Sequence, residues 1–174
     1  MTSRHAGLTL IELLIVIAVL AILLTTAVPN FTALLQEQRT ISAANGLVTH
    51  LNFARQTAVM QGLTVTACPS WDLRRCSGDN QWHNGILVFK DPQRRGQPQS
   101  DADILRAVGP QPALQMVSGG RHRVRFQPSG AAYGSNLTIR VCDPRHADRG
   151  RAVIVSNPGR VRAARLRDGD DCLT

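Results

Sequence analysis

Arginine is the residue through which this chain is best equipped to do chemistry, and that chemistry is the electrostatic capture of anions. The 174 residues carry 20 Lys+Arg against 12 Asp+Glu, a net charge of +8, and Lys90 is the one lysine. From Arg121 to Arg167 there are 11 Arg against Asp143 and Asp148, a local balance of +9 that suffices to attract a polyanion. Arg121, Arg123 and Arg125 alternate with His122, Val124 and Phe126. On a strand their guanidinium groups would share one outward face about 13 Å long. A second group is Gly159-Arg160-Val161-Arg162, continued by Arg165 and Arg167 and preceded by Asn157-Pro158. Arg160 and Arg162 point the same way on a strand, while Arg165 and Arg167 join them only through a bulge near Ala163-Ala164. Gly159 permits a sharp turn or the close approach of a phosphate. Asp168, Asp170 and Asp171 come directly after and oppose the potential. Such groups grip phosphates without reading bases, since neither a recognition helix nor an aromatic stacking platform is evident.

The other reactive side chains are less informative. His5, His50, His83, His122 and His146 lack HExxH spacing, and there is no Gly-x-Ser-x-Gly elbow and no phosphate-cradling glycine loop. Asp101 and Asp103 stand in polar loop sequence, and His122 is expected to be a core imidazole on the inner face of a strand. Neither catalysis, nor a cofactor, nor a metal is expected.

The elements that must carry the arginines begin with an apolar head. From Leu8 to Val28 the only charge is Glu12, over 21 residues that would rise roughly 31 Å as a helix, close to the roughly 30 Å hydrocarbon core. Arg4 in front of it predicts a cytoplasmic N-terminus and an exported remainder. An acid within a span costs a few kcal/mol and persists where a partner compensates it. Pro29 predicts a kink or loosening, after which Phe31, Leu34, Leu35, Gln38, Ile41, Ala44, Leu47, Val48, Leu51, Ala54 and Ala58 keep helical spacing to about Gln61. Gly62 is a natural helix stop. Beyond it, β-rich runs at 63–68, 86–90, 104–108, 121–127, 137–142, 151–156 and 160–166 alternate with Gly, Pro and Asn turn clusters. One helix succeeded by six or seven strands is an α+β domain with sheets packed on the helix's second half.

Four cysteines in an exported chain predict disulfides, with three possible pairings. Cys68 with Cys76, and Cys142 with Cys172, is the preferred set. The first closes a short loop and the second ties down the C-terminus, worth roughly 2.5 and 3.5 kcal/mol in the loop-entropy model. No CxxC or HxxxH spacing favours zinc.

The string Gly7-Leu8-Thr9-Leu10-Ile11-Glu12-Leu13-Leu14 resembles the class III signal of type IV pilins and type II secretion pseudopilins. The resemblance implies that a prepilin peptidase cuts after Gly7, that Leu8 stands first where the family usually has Phe, and that Glu12 meets a neighbouring subunit's new amino terminus. Ala54-Arg55-Gln56-Thr57-Ala58, Trp82 to Gly85, Phe126-Gln127-Pro128-Ser129-Gly130 and Ile154-Val155-Ser156-Asn157-Pro158-Gly159 jointly resemble FimT-type minor pilins and H-type minor pseudopilins. The implied fold is pilin-like: leader 1–7, transmembrane or filament-core half-helix 8–28, amphipathic half-helix 29–61, and a β domain 62–174. The Gly-Arg-x-Arg pattern at 159–162 is similar to an element that marks DNA binding in FimT-type pilins of transformable bacteria. The resemblance further implies an inner-membrane protein with a periplasmic domain, extracellular once assembled, whose partners are other major and minor pilins and sequence-independent DNA. The alternative is an H-type pseudopilin that primes a secretion pseudopilus or pilus and binds no DNA.

Overall fold

The computed structural model describes residues 9–166; within it the side chains of 26, 29, 30, 33, 147 and 148 are not described. Gly7, Leu8, Arg167 and Cys172 therefore lie outside the described residues. The chain forms two compact units, 1–38 and 39–174.

Helix α1, Leu10–Gln61, contributes to both units and is helical without interruption through Pro29, so no break of the helix appears at the expected kink. In the first unit Leu13, Leu14, Ile15, Ile17 and Leu20 are exposed, as are Phe31, Leu34 and Leu35 of the predicted stripe. Among the described residues no helix is long and apolar enough to cross a membrane. The apolar run with described side chains, 10–25, rises only about 24 Å.

In the second unit the stripe is used as expected. Ala44, Leu47, Leu51, Ala54 and Ala58 are buried, and the alanines among them let the helix lie close to the sheets. The helix ends in a left-handed Gly62 at φ 65°, with the Leu63 amide returning to the Ala58 carbonyl at 3.3 Å.

Eight strands come after the helix, β1 Val65–Pro69, β2 Ile86–Lys90, β3 Ile104–Val108, β4 Gln115–Ser118, β5 Val124–Phe126, β6 Leu137–Asp143, β7 His146–Val155 and β8 Val161–Arg165. They build two antiparallel sheets, ordered β3-β2-β1-β5 and β4-β6-β7-β8. Val65, Ala67, Val88, Val124 and Phe126 of one sheet and Ile139, Val141, Val153 and Val155 of the other share a core with the helix stripe.

Three elements differ from the sequence expectation. Strand β4 is additional, β5 is shortened to Val124–Phe126, and β7 begins at His146, because Asp143 pairs with His146 across a two-residue turn. Cys68 and Cys76 are joined, closing the loop after β1. Cys142 is also disulfide-bonded, and no described cysteine is free.

Candidate nucleic-acid interface

The hairpin joining β7 and β8 is held by its turn and by what the turn rests on. The Gly159 amide donates to the Ser156 carbonyl at 2.8 Å, and the Ser156 amide to the Arg160 carbonyl at 3.1 Å. Gly159 has φ 81°, and a Cβ there would overlap the Gly130 carbonyl oxygen. Gly130 in turn accepts Arg55 Nε of α1 at 3.0 Å, and the Ala132 amide donates to the Asn157 carbonyl at 2.8 Å. Three sequence motifs far apart in the chain thus meet at one point. Gly159 is buried there, so its close approach is to the protein's own backbone and not to a phosphate.

Beyond the turn, β8 pairs regularly with β7, Val155 with Val161, Ile154 with Arg162 and Arg151 with Arg165. No bulge intervenes at Ala163-Ala164. Arg160 and Arg162 are exposed and share the face away from the core, whereas Arg165 lies on the face of buried Val161. The bulge that would bring Arg165 to their face is absent, so Arg165 stays on the other face, as alternation along the strand requires. It instead lines a hollow of about 200 Å³ with Ile41, Ala44, Asn45 and Arg151.

The outward face of β6 and β7 beside Arg162 carries a larger hollow of about 550 Å³, bordered by Arg121, Thr138, Arg140, Ile154 and Ser156. None of its lining residues is acidic. Arg140 is a member of this face that the sequence motifs do not mark. Its signal is the alternation Leu137, Ile139, Val141 inward against Thr138 and Arg140 outward, which acquires meaning once β6 lies two strands from β8.

The row expected at Arg121, Arg123 and Arg125 forms differently. Strand β5 starts only at Val124, so the residues before it are not held in extended alternation. Arg125 Nε sits 3.8 Å from buried Asp91, whose Oδ2 also accepts Thr66 Oγ1 at 2.8 Å and the Gly96 amide at 3.0 Å. Arg123 donates to the Gly96 carbonyl at 3.4 Å and to His122 Nε2 at 2.7 Å. A guanidinium has no acceptor, so His122 Nε2 accepts and the imidazole is neutral. Burial, then the Arg123 charge, holds its pKa below the ordinary value. His122 is partly exposed ahead of the strand rather than buried on its inner face, which corrects the core assignment.

Arg121 donates to the Asn136 carbonyl at 3.0 Å. It borders the 550 Å³ hollow and also a smaller one of about 230 Å³ lined by His122, Arg123, Arg125, Gly134 and Ser135. Arg121 therefore borders both hollows, and Ile154, the pairing partner of Arg162, lines the larger one. Such an arrangement can hold a string of anions by charge. Elsewhere, Arg106 donates to His50 Nδ1 at 3.1 Å and lies over the Phe53 ring, and burial followed by the Arg106 charge lowers the His50 pKa. Among the described residues no cluster of three or more His, Cys, Asp or Glu could hold a metal ion.

Residues 43–159 match the family described as type II transport protein GspH, and residues 2–28 match the prokaryotic N-terminal methylation motif. No curated protein matches the chain. Among solved structures, the type IV minor pilin FimU of Pseudomonas aeruginosa superposes with TM-score 0.55 at 21% identity, covering 71% of this chain and 90% of that one. A second crystal form of FimU gives 0.56 at 20% identity, over 73% and 89%. The minor pseudopilin EpsH from the type 2 secretion system of Vibrio cholerae gives 0.50 at 14% identity, over 75% and 98%.

Proposed function

The chain belongs to the GspH family of minor pilins and pseudopilins, and from that premise we propose that it is a filament subunit that captures extracellular DNA for uptake. The observation that carries this reading is the outward pairing of Arg160 and Arg162 beside an acid-free hollow bordered by Arg121 and Arg140. Among the described residues no ion pair engages Arg160 or Arg162. Their charge is available to a ligand.

The DNA-binding set is Arg160 and Arg162, with Arg121 and Arg140 across the face and Arg165 and Arg167 as flanking charge. Gly159 serves it by shaping the hairpin. Arg123 and Arg125 contribute field more than contact, because both are engaged inside the protein. Two to four phosphates neutralised give a logarithmic salt slope of about −2 to −4 and a dissociation constant of roughly 10⁻⁴ to 10⁻⁶ M. Capture of long DNA then depends on several copies or on partner pilins.

In this reading a prepilin peptidase cuts after Gly7, the 8–28 segment anchors the chain in the inner membrane with the N-terminus cytoplasmic, and Glu12 pairs with a neighbour's amino terminus on assembly. The methylation-motif match over 2–28 supports it. The protein acts by binding and assembly, not by catalysis. A second reading, a secretion pseudopilin without DNA binding, is favoured by one observation: the family match stops at residue 159, before the arginine strand.

Fluorescence anisotropy of labelled DNA with the full chain in detergent, beside Arg160→Gln/Arg162→Gln, separates the two. DNA binding by the parent, weakened in the double variant, supports uptake. Absence of binding in dilute buffer supports the pseudopilin.

A further inference from the structure

Tyr133 is the chain's single tyrosine, and its side chain is 62% exposed although its turn is fixed at both feet. On one side the Ala132 amide donates to Asn157, in the hairpin that carries Arg160 and Arg162. On the other, the Ser135 hydroxyl accepts the Arg125 amide at 2.9 Å and donates to the Arg125 carbonyl at 3.0 Å. Between them the Ser135 amide closes the turn on the Ala132 carbonyl at 3.0 Å, with Gly134 left-handed at φ 73°. Gly134 and Ser135 line the hollow of Arg121, Arg123 and Arg125. An exposed aromatic side chain is thus carried on a turn whose backbone is tied both to Arg125 and to the hairpin of Arg160 and Arg162.

We propose that Tyr133 is a stacking platform for an unpaired nucleobase, so that the arginine face prefers single-stranded DNA or the frayed end of a duplex. A base has an open π-face only when it is out of the double helix, and stacking on an aromatic ring tolerates every base. The rigid turn lowers the ordering cost of presenting the ring. The charge surroundings agree, because Arg121, Arg123 and Arg125 line the adjoining hollow and no acidic residue does, Asp91 being buried beside Arg125. The other exposed aromatic outside the helix, Trp71, has the opposite setting: its indole donates to Asp79 at 2.8 Å and Asp72 is its neighbour in sequence. Its polar edge is thus committed to a carboxylate of the protein.

This inference rests on the DNA-binding reading, and the experiment distinguishes their failures. The full chain in detergent is titrated with an oligo-dT strand, an abasic strand of equal length, and a blunt duplex. Tyr133→Ala is expected to lower oligo-dT affinity about five-fold or more while leaving the abasic strand and the duplex within two-fold, and Tyr133→Phe is expected to bind like the parent. Irradiation with 5-iododeoxyuridine in the strand should crosslink at Tyr133. An equal loss on all three ligands, no loss on any, or crosslinking only elsewhere overturns the platform while leaving the arginine site standing. A parent chain that binds none of them overturns both.

Discussion

Arg121, Arg123 and Arg125 are spaced like Arg160 and Arg162, yet the two groups have different fates. Strand β8 is the edge of its sheet, and among the described residues Arg160 and Arg162 face solvent. Around β5 the segment after β2 returns: Asp91 bonds Thr66 of β1 and approaches Arg125, and Gly96 receives Arg123. Equal spacing places side chains on one face. The cover over that face decides whether a guanidinium serves the ligand or the fold.

Breaking the support of the hairpin should give the largest effect. Gly159→Ala forces a side chain into left-handed backbone and against the Gly130 carbonyl, and is expected to cost about 3 kcal/mol or more, with DNA binding lost alongside. Thermal unfolding should show a fall of roughly 6 to 12 °C. Next, Arg160→Gln/Arg162→Gln should leave stability within about 0.5 kcal/mol. Its salt slope should become shallower by about 1.8 units on duplex DNA, as titrations at several salt concentrations would reveal. An unchanged slope would erase the distinction between the groups.

The counterpart, Arg125→Gln, should reverse that signature. It removes the cation beside buried Asp91 and is expected to cost about 1 to 2 kcal/mol in denaturant unfolding, between exposed and fully buried pairs, with little change in salt slope. The smallest effect is in pH. His50 and His122 have native pKa values below their ordinary value of 6.5. The unfolded chain therefore binds more protons as pH drops below about 6.5. Their contribution to stability is whole above that pH and declines below it toward the native pKa values. His50→Gln should flatten that part of a pH series of melting temperatures.

Much of the fold is legible in the sequence because it rests on local rules. The 44, 47, 51, 54, 58 stripe and the stop at Gly62 come from helical periodicity and the one residue that adopts φ 65° without strain. Strand β4 is not legible, because Gln115-Met116-Val117-Ser118 is four residues long and runs into a Ser-Gly-Gly turn. It is a strand because Met116 and Val117 pair with Val141 and Arg140 of β6. Phe31, Leu34 and Leu35 continue the same stripe yet stay exposed, since periodicity specifies a face and not its partner.

By itself, then, the sequence determined the helix and its buried stripe, the basic balance of the last third, the alternation of Arg160 with Arg162, and the need for glycine at 62. These depend on spacing, φ and net charge, which are properties of short stretches. Tertiary structure alone decided that no bulge carries Arg165 to the face of Arg162, that Arg140 and Arg121 border the same hollow, that Arg125 is drawn to Asp91, and that the turn bearing Tyr133 is tied both to Arg125 and to the hairpin of Arg160. Each of those depends on strand register or on a contact between residues distant in the chain, and pairing across a sheet is set by the shared core, where no local stretch can specify it.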